Sequence, residues 1–155
     1  MNKMLLISGL ALLSPLMAHA NGGATCADPA PLPSGSDEGD TCGGEIGLNL
    51  GGVVYSHPSR VYTFHVDHAG PVFTTIALAG TDREAAVTDS CTNAPIAFAA
   101  PGTPVDVTAL ADGDWLLVVS TDPSLSVTVP PRCGAYTLND DLPPDDTIFA
   151  DSFDG

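Results

Sequence analysis

Short apolar runs that alternate with polar residues are the feature that most constrains the fold of this chain. From about residue 46 to residue 139, β-branched and aromatic runs are separated by Gly, Pro, Asp and Asn at intervals of roughly 8 to 12 residues. In residues 61–66, the even positions Tyr62, Phe64 and Val66 are apolar, whereas Thr63 and His65 are polar. This period of two is typical of a half-buried strand, so the sequence predicts an all-β fold.

Further runs extend this pattern to about eight or nine antiparallel strands. Residues 115–119 are apolar throughout, which predicts a central strand that is covered on both faces. A strand with one apolar face must bury that face against another sheet, so we expect a two-sheet β-sandwich. The remaining predicted strands are residues 72–78, 96–99, 105–110, 125–129 and 135–138.

The first twenty residues have the composition of a secretory signal peptide. Lys3 supplies a positive charge, an apolar stretch follows, and Ala18-His19-Ala20 forms a small-x-small cleavage site. The apolar stretch is shorter than the roughly 18 to 20 residues of a membrane-spanning helix, and Pro15 interrupts it. We therefore expect cleavage after Ala20 and export of the mature chain to the periplasm or the extracellular space, without membrane insertion.

The charge of the mature chain limits its partners. Residues 21–155 contain three arginines, no lysine and all 19 acidic residues, which gives a formal charge of −16. Nucleic acids and anionic membranes are bound by clustered Lys and Arg, so we expect neither as a partner. An unknown protein or a glycan remains as the expected partner.

Four cysteines, Cys26, Cys42, Cys91 and Cys133, remain after cleavage. An even number of cysteines in an oxidising compartment predicts two disulfides. Of the three possible pairings we favour Cys26–Cys42 together with Cys91–Cys133. The first would tie the N-terminal segment to the start of the domain, and the second would join a mid-domain loop to the last strand.

Composition divides the chain into four segments. After the signal peptide (1–20), residues 21–44 are rich in Gly, Pro, Ser and Asp, which predicts an irregular leader that carries cysteines. The sandwich is expected over residues 45–140, followed by an acidic and aromatic tail over 141–155. The tail is interpreted either as a frayed end or small extra strand, or as a linear motif that binds a partner through its apolar residues and a carboxylate. The motif residues are Ile148, Phe149, Asp151 and Phe153.

The order of these runs resembles the bacterial pre-peptidase C-terminal domain family over residues 45 to 140. The likeness is carried by the segments YTFHVDHAG (62–70), LADGDWLLVV (110–119) and GAYTL (134–138). It implies a jelly-roll-like sandwich that is not catalytic and assists secretion, targeting or attachment. The chain departs from the family at Val87–Cys91, where many members carry acidic residues, and we expect no hydrolase domain within these 155 residues.

Candidate metal ligands are few. His65 and Asp67 lie on one side of a predicted strand, as two ligands of a metal triad would, but a second histidine would have to come from His57 or His68. We interpret these histidines as surface or turn residues.

Calcium prefers oxygen ligands from loops, which makes four aspartates weak candidates, although turns favour the same residues. They are Asp112, Asp114, Asp140 and Asp141. No other cofactor is expected.

Catalytic motifs are not expected either, since no G-x-S-x-G elbow is present and the cysteines are assigned to disulfides. The leading hypothesis is a secreted, non-catalytic accessory or binding protein. One alternative is a calcium-stabilised structural surface protein that docks through its tail. A second alternative is a carbohydrate-binding module, for which Tyr55, Phe73 and Phe98 are the aromatic residues left as surface platforms.

Overall fold

The computed structural model describes residues 22–69, 75–126 and 130–141. These residues form β-strands and no helix, so the predicted all-β class is confirmed. None of them forms a helix that could cross a membrane. The strands are Ala30–Pro31 (β1), Ser36–Asp40 (β2), Leu48–Leu50 (β3), Val53–Tyr55 (β4), Arg60–Val66 (β5), Thr75–Ala79 (β6), Arg83–Thr88 (β7), Ala97–Ala99 (β8), Val105–Asp106 (β9), Gly113–Thr121 (β10) and Ala135–Asp140 (β11).

The strands form two larger sheets and one hairpin. The five-stranded sheet has the order β1-β5-β10-β7-β8, and the four-stranded sheet has the order β2-β11-β6-β9. Strands β3 and β4 form the separate hairpin. All pairings are antiparallel except β1 with β5. The sandwich predicted from the alternating runs is therefore consistent with the structure.

The main core lies between the two sheets. Strand β5 contributes Tyr62, Phe64 and Val66, the three residues that the alternation placed on one face. Side chains of β10 lie on the same side of that sheet, and side chains of β6 and β11 approach from the other sheet. These partners are Leu117, Val119, Ile76, Leu78, Tyr136 and Leu138. Their burial against each other is the principal hydrophobic stabilisation of the fold.

A second, smaller core covers the outer face of the five-stranded sheet. The β3–β4 hairpin packs Leu48, Leu50 and Tyr55 over Val61 of β5 and Val118 of β10. Strand β10 therefore buries Leu117 and Val119 on one face and Val118 on the other. This arrangement confirms residues 115–119 as a central strand that is covered on both sides.

Over its described residues, 22–44, the predicted leader 21–44 is not irregular. Gly23 pairs with Val61 at the edge of β5, β1 continues along β5, and β2 pairs with β11 in the other sheet. The segment thus joins both sheets along one side of the sandwich. The prediction was wrong because β2 has the sequence Ser-Asp-Glu-Gly-Asp, which lacks an apolar alternation. An edge strand can be this polar because backbone hydrogen bonds hold it to its single neighbour.

The disulfides join Cys26 to Cys91 and Cys42 to Cys133, with Cα–Cα distances of 5.9 and 4.9 Å. The prediction of two disulfides is confirmed, and the favoured pairing of Cys26–Cys42 with Cys91–Cys133 is wrong. Cys26 belongs to the outer core, which Cys91 also contacts. Cys42 follows β2 and Cys133 precedes β11, and these two strands are hydrogen-bonded neighbours. Sheet topology rather than sequence proximity therefore decides the pairing.

Other differences concern single elements. Residues 83–88 form β7, although the sequence predicts no strand there. The strand was missed because the charged residues Arg83 and Glu84 interrupt the apolar pattern at its start. Residues 125–126 of the predicted strand 125–129 lie in a loop, and residues 127–129 lie outside the described residues. The signal peptide (1–20), residues 72–74 and the tail motif residues Ile148, Phe149, Asp151 and Phe153 also lie outside them.

Candidate functional site

Two histidine–aspartate pairs lie where β5 ends and β10 begins, which we call the His–Asp end. His65 of β5 stands opposite Asp114 of β10, and His65 Nδ1 lies 2.8 Å from Asp114 Oδ1. Both side chains are largely exposed. The pair follows from the strand register, because directly opposed residues of an antiparallel pair share one face of the sheet.

The second pair links the turn after β5 to the loop before β10. Asp112 Oδ1 contacts His68 Nδ1 and accepts the His68 backbone N–H at 3.1 Å. His68 Nε2 lies 3.1 Å from the carbonyl oxygen of Thr108. Both ring nitrogens thus face acceptors, which favours the doubly protonated imidazolium. The hydrogen bonds to Asp112 and Thr108 raise the pKa of His68, and the bonds from His68 lower the pKa of Asp112.

The four predicted calcium ligands are used in separate contacts. Asp112 and Asp114 face histidines, Asp140 Oδ1 accepts the Gly35 N–H at 2.8 Å, and Asp141 Oδ1 accepts the Thr75 N–H at 3.0 Å. Asp67, proposed as a ligand beside His65, accepts the Ala69 N–H within its own turn. Binding of calcium by these aspartates stays a prediction.

Across the described residues, one group of three His, Cys, Asp or Glu side chains brings its ligand atoms within 4.8 Å of one another. It consists of Asp40, Cys42 and Cys133. The two sulfur atoms are joined in a disulfide, whereas metals bind the free thiolate. This group is therefore not a suitable metal centre in the oxidised protein.

The opposite end of the β5–β10 pair contains most of the buried polar side chains of the described residues, and we call it the buried polar end. It surrounds the Cys42–Cys133 disulfide. All three arginines of the protein contribute to this region, since Arg60 donates to the Cys42 carbonyl, Arg132 precedes Cys133, and Arg83 lies against Gly134. The buried polar side chains are Thr41, His57, Ser59, Arg83, Ser120 and Thr121.

A chain of hydrogen bonds connects these side chains. His57 Nδ1 accepts the Arg132 N–H at 2.9 Å, and Thr121 Oγ1 donates to the Arg132 carbonyl at 3.2 Å. The same Thr121 oxygen accepts a hydrogen bond of 2.6 Å from Arg83 Nη1. The loop before β11 is therefore fixed to β10 and to the segment before β5 by side chains as well as by the disulfide.

His57 lies in the bend before β5, as its interpretation as a turn residue predicts, but it is 1% exposed and therefore not a surface histidine. Burial, followed by the charges of Arg132 and Arg83, lowers the pKa of His57. Its Nδ1 accepts a hydrogen bond, which places the proton of the neutral ring on Nε2. Ser59 and Ser120 donate to the backbone carbonyl of His57 rather than to its ring. Only the flanking Pro58 and Ser59 are sequence signals at this position, and neither predicts burial.

The predicted aromatic platforms do not lie together on the surface. Tyr55 is fully buried in the outer core, and its hydroxyl donates to Glu84 Oε1 at 3.3 Å. Phe98 is 47% exposed, and Phe73 lies outside the described residues. Tyr55 is therefore removed from the set on which a carbohydrate-binding face would depend.

The exposed large hydrophobic side chains of the described residues are Ile46, Val54, Ile96 and Phe98, and we call them together the outer apolar surface. Ile46 and Val54 lie at the β3–β4 hairpin, and Ile96 and Phe98 lie at β8 and just before it. Phe98 stands directly opposite Ala86, whose side chain belongs to the outer core. Phe98 therefore points to the side of the sheet that the β3–β4 hairpin covers, and Ile96, two residues earlier, shares this face.

The hairpin carries the other two members of this surface. Val54 of β4 is exposed between the partly and fully buried Val53 and Tyr55, and Ile46 lies two residues before β3. The hairpin turn touches the loop before β8, since a Cβ atom at Gly51 would lie 2.2 Å from the Ala94 nitrogen. The segments that build the surface, residues 46–59 and 90–105, contain no Asp, Glu, Lys or Arg. These two segments are thus uncharged in a strongly acidic protein, with Glu45 and Glu84 beside them.

Comparison with known proteins identifies no similar protein. No protein-family model, no curated protein and no solved structure matches the chain. The likeness to the pre-peptidase C-terminal domain family therefore stays a prediction from the residues that carry it. The functional argument depends on the surfaces of the protein itself.

Proposed function

We propose that this protein is an exported, non-catalytic binding module and that the outer apolar surface is its binding site. The exposure of Ile96 and Phe98 at β8, together with that of Ile46 and Val54 at the hairpin that covers the same sheet, is the observation that carries the proposal. Large apolar side chains that gather on one exposed face mark interaction sites more often than isolated ones do. The two disulfides fit export, since they persist in oxidising compartments.

The chemistry of the surface favours another protein as the partner. A chain of formal charge −16 repels acidic molecules, but residues 46–59 and 90–105 carry no charge and permit close approach. Phe98 has the size and exposure of an aromatic anchor, a type of residue that contributes much of the binding energy in protein interfaces. Strand β8, which carries Phe98, lies at the edge of its sheet, where an extended partner segment can add as a further strand.

The resemblance to the pre-peptidase C-terminal domain family supports the same class of function. That likeness implies an accessory role in secretion, targeting or attachment, and such roles need a contact surface rather than a catalytic centre. The predicted signal peptide supports a location in the periplasm or outside the cell. The role of the tail residues Ile148, Phe149, Asp151 and Phe153 as a second docking segment belongs to this proposal.

Site-specific photo-crosslinking in the exporting cell tests the binding site. A photoreactive residue in place of Phe98 or Val54 should give a discrete crosslinked product. The matched control is the same residue in place of Asn139, which is exposed on β11 in the other sheet. A partner captured equally well from position 139, or no product from positions 98 and 54, would contradict the proposed site.

A further inference from the structure

The two disulfides of the protein have different surroundings. Cys42 and Cys133 are both exposed, and the bond between them lies at the buried polar end. Cys26 is 7% exposed and belongs to the outer core, against which Cys91 packs. The rate of thiol–disulfide exchange depends on whether an attacking thiolate can reach a sulfur atom. A reductant in solution therefore reaches the Cys42–Cys133 bond more readily than the Cys26–Cys91 bond.

The charged groups beside the exposed bond act in opposite directions. Arg60 Nη2 donates to the Cys42 carbonyl at 2.7 Å, and Arg132 directly precedes Cys133. Cations at such positions stabilise the negative charge that exchange leaves on a sulfur. Asp40 opposes them, since one of its carboxylate oxygens lies within 4.8 Å of both sulfur atoms. Access to solvent, rather than local charge, therefore distinguishes the two bonds.

The exposed bond fixes a loop that covers the buried polar end. This loop consists of residues 131–134, and we call it the capping loop. The Arg132 N–H donates to His57 Nδ1 at 2.9 Å, and the Gly134 N–H donates to Thr41 Oγ1 at 3.1 Å. The disulfide adds a covalent link from this loop to the residues that follow β2. The capping loop is therefore held by one covalent bond and by hydrogen bonds to buried side chains.

Two buried nitrogen atoms under the capping loop favour its opening. His57 Nε2 and Arg83 Nε are fully buried and have no hydrogen-bond partner. A buried donor without an acceptor is destabilising, and water that enters relieves this cost. The loop lies against both side chains, since Arg132 contacts the His57 ring and a Cβ atom at Gly134 would lie 2.8 Å from Arg83 Nη2. Loss of the disulfide therefore shifts the balance towards an open loop.

We propose that the Cys42–Cys133 bond is a redox switch, which a dithiol reductant opens while the Cys26–Cys91 bond stays intact, and that its reduction frees the capping loop from the buried polar end. The switch does not involve the outer apolar surface, so it is a property beyond the binding function proposed above. It couples the thiol chemistry of the surroundings to the solvation of a buried histidine and a buried arginine.

The reduction proceeds in two exchange steps. A thiolate of the dithiol attacks one of the two cysteine sulfurs, the S–S bond breaks, and its electron pair stays on the other cysteine, which takes up a proton. The second thiol of the dithiol then breaks the mixed disulfide, closes the disulfide of the reductant and leaves the first cysteine as a thiol. The dithiol thus gives up two electrons and two protons, and Cys42 and Cys133 receive them.

Limited reduction of the oxidised protein tests the order in which the bonds open. The protein is treated with dithiothreitol in native buffer, samples are alkylated with iodoacetamide over time, and the modified cysteines are located by mass spectrometry. Cys42 and Cys133 should be modified about tenfold faster than Cys26 and Cys91. Equal rates, or earlier modification of Cys26 and Cys91, would overturn the switch.

Hydrogen exchange in the reduced protein tests the release of the capping loop. Reduction should remove the protection of the Arg132 amide, which donates to His57, while the Val118 amide in the central strand β10 keeps its protection. Oxidation by a disulfide reagent should restore the protection of Arg132. Protection of Arg132 that survives reduction would overturn the switch, and so would loss of protection at both amides, because that result means global unfolding.

Two double variants separate the bonds. Cys26→Ser/Cys91→Ser keeps only the exposed bond, which should be reduced as fast as Cys42–Cys133 in the unaltered protein. The matched control, Cys42→Ser/Cys133→Ser, keeps only the bond of the outer core and should be reduced about tenfold more slowly. Equal rates in the two variants would contradict the proposal. If either variant does not fold, the time course of alkylation in the unaltered protein decides.

Discussion

The two ends of the β5–β10 strand pair use histidine in opposite ways. At the His–Asp end, His68 lies at the surface between Asp112 and the Thr108 carbonyl, and its pKa is raised. At the buried polar end, His57 is enclosed near Arg83 and Arg132, and its pKa is lowered. The charged form of histidine is thus favoured at the His–Asp end, and the neutral form is favoured at the buried polar end.

The difference teaches that neighbouring charge and access to water decide the role of a polar residue in this fold. The exposed pairs add little to stability, because water screens their attraction. The buried end is held by hydrogen bonds in a poorly solvated environment, where the loss of one partner is costly. We therefore expect changes at the buried polar end to have larger effects than matched changes at the His–Asp end.

The largest effect is expected from removing the Cys42–Cys133 disulfide, which closes the buried polar end. The double variant Cys42→Ser/Cys133→Ser should lose about 4 to 5 kcal/mol of unfolding free energy, because the bond spans 91 residues. Urea unfolding followed by the fluorescence of Trp115 measures the loss. In the same variant, the pKa of His57 should rise towards its ordinary value as water enters.

The control for that experiment is Cys26→Ser/Cys91→Ser, which removes a link of similar span on the outer face. Its loss of stability should be of the same order, but His57 should keep its lowered pKa. Two results would contradict the assignment of this disulfide to the buried polar end. One is a His57 pKa that stays lowered in Cys42→Ser/Cys133→Ser, and the other is a loss of unfolding free energy below about 1 kcal/mol in that variant.

A glycine at each end provides the second test. Gly134 and Gly113 have φ values of 154° and 139°. A Cβ atom at Gly134 would lie 2.8 Å from Arg83 Nη2, whereas one at Gly113 would meet nothing within 4 Å. Gly134→Ala should therefore cost about 2 to 3 kcal/mol, and Gly113→Ala only the backbone strain of about 1 kcal/mol. Equal losses in thermal unfolding would show that crowding against Arg83 is unimportant.

The smallest effect concerns the titration of the two histidines. NMR titration should place the pKa of His68 above 6.5 and that of His57 below it. His68 then contributes stability that is present below pH 6.5 and is lost as the pH rises through its raised pKa. His57 has the opposite effect on stability. As the pH falls below 6.5, the His57 ring takes up a proton in the unfolded chain before it does so in the folded chain, and this favours unfolding.

The variant Asp112→Asn isolates the His–Asp end in that titration. It should lower the pKa of His68 and leave His57 unchanged, since Asp112 is the main cause of the shift at His68 and is no cause of the shift at His57. A His68 that titrates identically in Asp112→Asn would refute the pair. A shift at His57 in this variant would show that the two ends are coupled.

The sequence predicts those parts of the fold in which apolar periodicity determines the structure. Tyr62, Phe64 and Val66 lie in the main core as their alternation indicates, and the apolar run 115–119 becomes the central strand. It does not predict β2, because backbone hydrogen bonds and a close fit of Gly39 against the Tyr136 ring hold that strand. Periodicity contains no information about either contact.

The sites were less predictable because they depend on which segments meet. The pairing of Cys26 with Cys91 follows from the path of the N-terminal segment along β5, and the partners of His57 come from residues 121 and 132. The exposure of Phe98 agrees with its interpretation as a surface aromatic, but Tyr55 is buried because the β3–β4 hairpin folds over the sheet. Long-range contacts of this kind leave no local pattern in a single sequence.

The two disulfide loops overlap along the chain, and this has a consequence for resistance to proteases. One bond spans residues 26 to 91 and the other spans residues 42 to 133, so every peptide bond between Cys26 and Cys133 lies within at least one closed loop. A single proteolytic cut anywhere in that interval leaves both fragments covalently joined. The pairing favoured from the sequence would have left the stretch between Cys42 and Cys91 outside any loop, where one cut would divide the protein in two.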